Sequence, residues 1–296
     1  MPNVLKISAG VLAGLIVLAT PALAHDRGGS DVRNDRQGAG LTAVGLTDDQ
    51  RLVRFDTSQP GKARNGVKVS GLKGDATLIG IDYRVQNNLL YGVGNAGGVY
   101  TIDPNNGYAT KVSQLSVPLA GKFFGVDFNP AANLLRVISD TGQNLRHNID
   151  NNAQNAPPPG KTNSDGALNT PPTAGNTLGV TAAGYTNNDL APTTNTTLFD
   201  VNTANDTLVI QSPANQGDLT ATGQLTVDAG GNAGFDVYSV LDQQGTTVDN
   251  RAFATLQVGG RNALYAVNLL TGKASSQGNF SAGTNVVDIA IPLKQR

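Results

Sequence analysis

Three features of the sequence predict an all-β fold in the form of a β-propeller. A short apolar strand with a central Asp, replaced by Gly184 in one copy, recurs about every fifty residues, the size of one four-stranded blade. Its copies read IGIDYR (79–84), FGVDFN (124–129), AAGYT (182–186), GFDVY (234–238) and VVDIA (286–290). Each full copy is followed by hairpins of alternating apolar and polar residues with Gly or Asn turns. The two ends of the chain carry complementary fragments of one such unit.

The elements follow in order. Residues 41–72 hold LTAVGLT, RLVRFDT and GVKVSGL, the second, third and fourth strands of a blade, while 285–291 (NVVDIAI) is a first strand with nothing after it. Pairing of this C-terminal strand with the N-terminal blade closes the ring and removes its exposed edges. The second unit spans 78–115, with strands NLLYGV and GVYTID, the turn PNNG and the outer strand YATKVSQL. The third begins at 123 and runs to about residue 170, opening with FFGVDFNPAANLLRVISDTGQNLRHNID, three short strands in succession. Its remainder, 151–176, is rich in Pro, Asn and Gly and reads as a long surface loop with a short outer strand near 167–169. The fourth unit covers 178–225 and the fifth 233–280. The count is five blades, with six the alternative if the long third unit hides a further sheet.

Residues 1–24 have one Lys6, an apolar run over 9–19 and Ala22-Leu23-Ala24, the pattern of a secretory signal peptide cleaved after Ala24. An uncleaved anchor is the weaker reading, because the apolar run is short for a bilayer. Residues 25–40 form a Gly-rich, charged tail, 41–292 a single propeller domain and 293–296 a C-terminal tail. The expected location is therefore secreted or periplasmic, with no membrane span after cleavage.

Composition narrows the chemistry. With no Cys there is no disulfide, thiol nucleophile or thiolate-bound metal. All 22 acidic residues are Asp, and the only His are His25 and His147. A Ser-His-Asp triad would have to recruit one of those two. A net charge of −1 with no basic cluster argues against a nucleic-acid partner.

The segments LIGIDYR, FFGVDFNPAANLLRVISDTGQNLRHNID, AAGYTNN, TTLFDVNTANDTLVIQSPANQGDLTATGQL and ALYAVNLLTGKAS resemble the bacterial family of exported, propeller-like proteins that carries the domain of unknown function DUF4394. The resemblance covers residues 41–291 and implies a propeller, but no activity.

Two groups of residues are site candidates. Asp82, Asp127, Asp236 and Asp288 fall on innermost strands, where Gly80 shares a face with Asp82 and Ile79, Ile81 and Tyr83 share the other. They would surround the central channel and could hold calcium through oxygen ligands. The stronger reading is structural: each Asp accepts backbone amides of the neighbouring blade, since a feature repeated with the blade is explained by the blade. The asymmetric group is Arg136, Asp140, Gln143, Asn144 and Arg146, around the SDTG turn of the third unit. It has no counterpart elsewhere, and its donors could grip a carboxylate or sugar, or else brace adjacent blades. His25, a new N-terminus after cleavage, has the groups to chelate copper but sits on a flexible tail. The N-x-S/T sites at Asn195, Asn205 and Asn279 matter only in a glycosylating host.

Two functions fit. One is an exported non-enzymatic propeller that binds an extracellular or periplasmic protein or glycan. The other is a calcium-dependent hydrolase or lactonase with its metal in the channel, which the absence of Glu weakens.

Overall fold

The computed structural model describes residues 40–63, 66–150 and 156–295. The expected signal peptide, and the tail up to residue 39, lie outside the described residues.

Among the described residues, twenty strands follow one another with a single 3₁₀ turn at Pro60–Lys62. They are β1 (Thr42–Thr47), β2 (Arg51–Asp56), β3 (Val67–Lys68), β4 (Leu78–Arg84), β5 (Leu89–Gly94), β6 (Gly98–Ile102), β7 (Ala109–Gln114), β8 (Phe124–Asn129), β9 (Leu134–Ser139) and β10 (Asn144–His147). The chain continues with β11 (Thr162–Ser164), β12 (Val180–Tyr185), β13 (Leu198–Asn202), β14 (Thr207–Gln211), β15 (Leu219–Gln224), β16 (Ala229–Leu241), β17 (Thr247–Val258), β18 (Arg261–Val267), β19 (Ala274–Asn279) and β20 (Val286–Ala290). They form five four-stranded antiparallel sheets, the blades of a five-bladed propeller. Among the described residues no helix is long and apolar enough to cross a membrane.

Blade 1 is β20-β1-β2-β3, so the last strand of the chain is the inner strand of the first blade, as its end fragments predict. Val44 pairs with Ala290 and Gly45 with Ile289 across that seam. Beyond it the chain stays attached: Gln295 Oε1 accepts the Thr42 amide at 2.7 Å, and its Nε2 donates to the Thr42 carbonyl at 2.8 Å.

Three details depart from expectation. The outer strand of blade 3 is β11, not 167–169; its Thr162 accepts the amide of Ser116 at 2.9 Å, while Leu168 is fully buried and Asn169 bridges Asp218. Polar residues form that strand because its hydroxyls and amides satisfy the preceding connection, a contact with no apolar signature. The hairpin β16-β17 extends well past the expected first strand at 234–238. Ile79 does not share a face with Ile81 and Tyr83: a register shift between Leu78 and Gly80 turns it toward blade 3, while the other two pack toward blade 1.

The core is laid down as apolar layers between neighbouring blades. Phe235, Val237, Leu256 and Tyr265 belong to the layer between blades 4 and 5, and Leu46, Ile81, Leu90 and Tyr100 to that between blades 1 and 2. The layer between blades 3 and 4, around Ile138, Val180, Tyr185 and Val209, is the smallest among the described residues. Polar side chains occupy the rest of that boundary.

Candidate functional site: the axis and the wedge between blades 3 and 4

On the axis, each inner-strand Asp reaches the next blade. Asp288 Oδ2 accepts the Ile81 amide at 2.7 Å, Asp82 Oδ2 that of Phe128 at 2.8 Å, and Asp236 Oδ2 that of Ile291 at 2.6 Å. Asp82 Oδ1 also accepts the Tyr83 amide at 2.6 Å. Asp127 uses the Tyr185 amide in the same way, but its Oδ1 has no partner. The glycines two residues earlier make room: a Cβ on Gly80 would stand 3.0 Å from Asp288 Oδ2, and one on Gly234 2.6 Å from Asp288 Oδ1.

The arrangement brings oxygens of Asp82, Asp127 and Asp236 within 4.8 Å of one another, the span of two ligands on opposite sides of a calcium-sized ion. All four Asp are at most 7% exposed. Burial pushes the pKa of Asp82, Asp127 and Asp288 well above the usual carboxylate range, and that of Asp236 to about 7. Nearby carboxylates push Asp82, Asp127 and Asp288 further, and the accepted amides offset part of the rise.

The five polar-turn residues divide into two groups. Asp140 Oδ1 accepts the Lys122 amide at 2.9 Å, and Gln143 accepts the Ala120 amide at 2.9 Å while donating to the Pro118 carbonyl at 2.8 Å. Both therefore hold the connection that enters blade 3. Arg136, Asn144 and Arg146 turn the other way and meet at blade 4.

Arg136 stands where every other blade has an apolar side chain. It pairs across the sheet with Asp127, as Tyr91 does with Asp82, Phe199 with Gly184, Phe253 with Asp236 and Leu46 with Asp288. Its Nη1 donates to Asp165 Oδ2 and Asn144 Oδ1, both at 2.7 Å, and its Nη2 to Asn215 Oδ1 at 2.8 Å. Its Nε donates to the Tyr185 hydroxyl at 3.3 Å. Burial opposes its charge, but Tyr185 and Asp165 outweigh that and raise its pKa. Arg146 donates to Asp165 Oδ1 at 3.2 Å from the facing strand. Beside these groups lies a cavity of about 210 Å³ lined by Arg136, Arg146, Tyr185 and Asn215, with Pro213 and Ala214 on one side. A wider hollow of about 620 Å³ near Thr42 and Gln59 has exposed, locally paired polar walls, Arg54 donating to Asn105 and Ser58 to Asp56.

Asp165, Tyr185, Asn215 and the fully buried Asp200 are members of this boundary that the sequence did not single out. They come from a loop and from another blade, and no local spacing relates them to Arg136. Arg84 is another: buried at the boundary of blades 2 and 3, it donates to Asp150 and Asn133, both at 2.7 Å. An Arg closing the apolar run LIGIDYR was its visible signal. His147 sits between Ser113 Oγ at 2.8 Å and Thr162 Oγ1 at 3.0 Å, with no carboxylate on its ring. Burial lowers its pKa to about 4, which makes it a poor base for a nucleophile.

No curated protein matches this chain. Among solved structures, a protein of unknown function from Bacteroides thetaiotaomicron VPI-5482 is 13% identical, with 86% of this chain and 65% of that one covered and a TM-score of 0.46. An auxiliary nutrient binding protein from the same organism is 9% identical, with coverages of 86% and 62% and a TM-score of 0.43. One from Bacteroides ovatus ATCC 8483 is 14% identical, with coverages of 87% and 50% and a TM-score of 0.39. This chain thus spans between half and two thirds of the length of those proteins. The profile of one family matches residues 51–290, and the chain accordingly belongs to DUF4394, a domain of unknown function.

Proposed function

We propose that this protein is an exported, non-enzymatic propeller that binds a protein or glycan partner outside the cytoplasm, secreted or periplasmic, through the wedge between blades 3 and 4. One observation carries the reading. Arg136 stands where the other four blades carry Tyr91, Phe199, Phe253 and Leu46, and it lies opposite Arg146 beside a cavity. Function sits at asymmetric positions of a repeat scaffold, because what merely holds the repeat together is repeated. Export rests on the leader of residues 1–24 and its Ala-x-Ala site.

The test is a screen of glycan and protein arrays with the secreted form, compared with its Arg146→Gln variant. Binding that the variant loses supports the wedge; binding that it keeps places the site elsewhere. N-terminal sequencing of the exported protein is expected to start at His25, and retention of Met1 in the membrane fraction would overturn the cleavage.

The calcium-dependent hydrolase is the second reading, favoured by the proximity of Asp82, Asp127 and Asp236. These oxygen donors suit a hard cation. Against it, the carboxylates are buried and mostly committed to backbone amides, out of reach of a substrate.

A further inference from the structure

We infer that the wedge is built for a carboxylate on a compact group, an inference that rests on the binding reading above and names the chemistry of its ligand. Asp127, Arg136, Arg146 and Asn163 are successive cross-strand partners in blade 3, so their side chains share one face of the sheet. Two guanidinium groups directly opposite each other repel. A single carboxylate, Asp165, accepts from both, which leaves one positive charge over.

The other acids nearby do not cancel it. Asp200 has neither oxygen hydrogen-bonded, and burial, against the pull of Arg136, pushes its pKa well above the usual range and so disfavours its charged form. Asp127 forms no ion pair with either Arg among the described residues.

Three side chains that line the cavity have donors to spare. Arg146 Nε is buried without a partner. The Tyr185 hydroxyl accepts from Arg136 Nε, which leaves its own proton to donate. Asn215 must turn its oxygen to Arg136, because a guanidinium only donates; the residue is exposed, and its Nδ2 protons are left to solvent or to a ligand. Three donors from blades 3 and 4, and one uncompensated charge, converge on one cavity. A ligand that matches them offers acceptors only and carries a negative charge. At about 210 Å³ the space is below that of a drug-sized pocket and suits one end group.

The experiment is isothermal titration of the secreted protein with glucuronate, acetate and neutral glucose. Glucuronate or acetate is expected to bind and glucose not to; glucuronate binding above acetate assigns the carboxylate to a sugar acid, and equal binding assigns it to the carboxylate alone. Losing one charge-assisted hydrogen bond, Arg146→Gln should weaken binding by about tenfold or more. Arg146→Lys, which keeps the charge but not the planar fork, should recover only part of it. Unfolding midpoints of both variants, matched to the parent, separate lost binding from lost folding. Equal binding of glucose and glucuronate overturns the carboxylate assignment while leaving the wedge as a binding site. Failure of all three ligands, with array binding still dependent on Arg146, likewise rejects the carboxylate alone; array binding indifferent to Arg146 rejects the wedge itself.

Discussion

Asp82 Oδ2 accepts the amide of Phe128 at 2.8 Å, and this one bond ties the inner strand of blade 2 to that of blade 3. The same carboxylate also holds the Tyr83 amide. Asp82→Ala would strand two buried amides and should lower stability by about 2–4 kcal/mol. Asp127 differs because its Oδ1 has no partner, and its carboxylate lies close to those of Asp82 and Asp236. Asp127→Asn replaces a group whose ionised form burial and its neighbours oppose, and gains an amide that can donate, so it should change stability by no more than about 1 kcal/mol, or increase it. Urea unfolding of both variants checks the contrast; equal losses would show that the two repeat positions do the same job.

The fourth repeat has Gly184 where the others have Asp, and the neighbouring blade explains it. A Cβ at Gly184 would stand 2.7 Å from Cδ1 of Phe235, which is itself only 2% exposed. Restoring the consensus is therefore expected to harm the fold. Gly184→Asp should cost at least about 3 kcal/mol through overpacking and a buried carboxyl, read as a fall in the urea midpoint. A neutral or stabilising effect would mean that the Phe235 ring can move aside.

Much of this architecture was legible in the chain, and the reason is the repeat. At Gly80 and Gly234 a Cβ would run into Asp288, and at Gly125 into the backbone of Ala182 and Ala183, so the Gly of the Gly-x-Asp spacing at 80–82, 125–127 and 234–236 answers to the close approach of a neighbouring blade. Geometry of that kind leaves a mark in three of the five blades. Arg136 was visible as a charge inside an apolar strand. Its partners were not: Asn215 lies 79 residues away, and Asp165 lies on a Pro- and Asn-rich loop whose composition signals only exposure. The outer strand β11 escaped for a similar reason, since hydroxyl contacts rather than apolar alternation hold Thr162 in place.

His147 predicts a pH dependence with a definite sign. Its pKa is lowered by burial from 6.5 to about 4, so between those values the unfolded chain binds a proton that the folded chain refuses. Its contribution is complete above pH 6.5 and is lost as pH falls toward about 4, a change of about 2–4 kcal/mol. His147→Gln can still reach Ser113 or Thr162 and has no proton to gain. The difference in unfolding free energy between parent and variant should shrink or reverse from pH 7 to pH 4.5. A constant difference would show that His147 protonates normally in the folded chain.

Metal removal decides what the axial carboxylates do. If they serve only to hold amides, the thermal midpoint is the same in calcium, in other divalent cations and in chelator, because a ligand shifts the midpoint only by binding the folded state. That is the expected result, since Asp82, Asp236 and Asp288 each already accept an amide from the next blade. The opposing case has one foothold, Asp127, whose Oδ1 is unpartnered and whose carboxylate lies close to Asp82 and Asp236. A rise in midpoint with calcium that Asp127→Asn abolishes would establish a cation on the axis. The ion would then hold together the centre of a ring whose carboxylates otherwise repel, and Asp127→Asn would become destabilising in calcium where it is otherwise expected to be harmless.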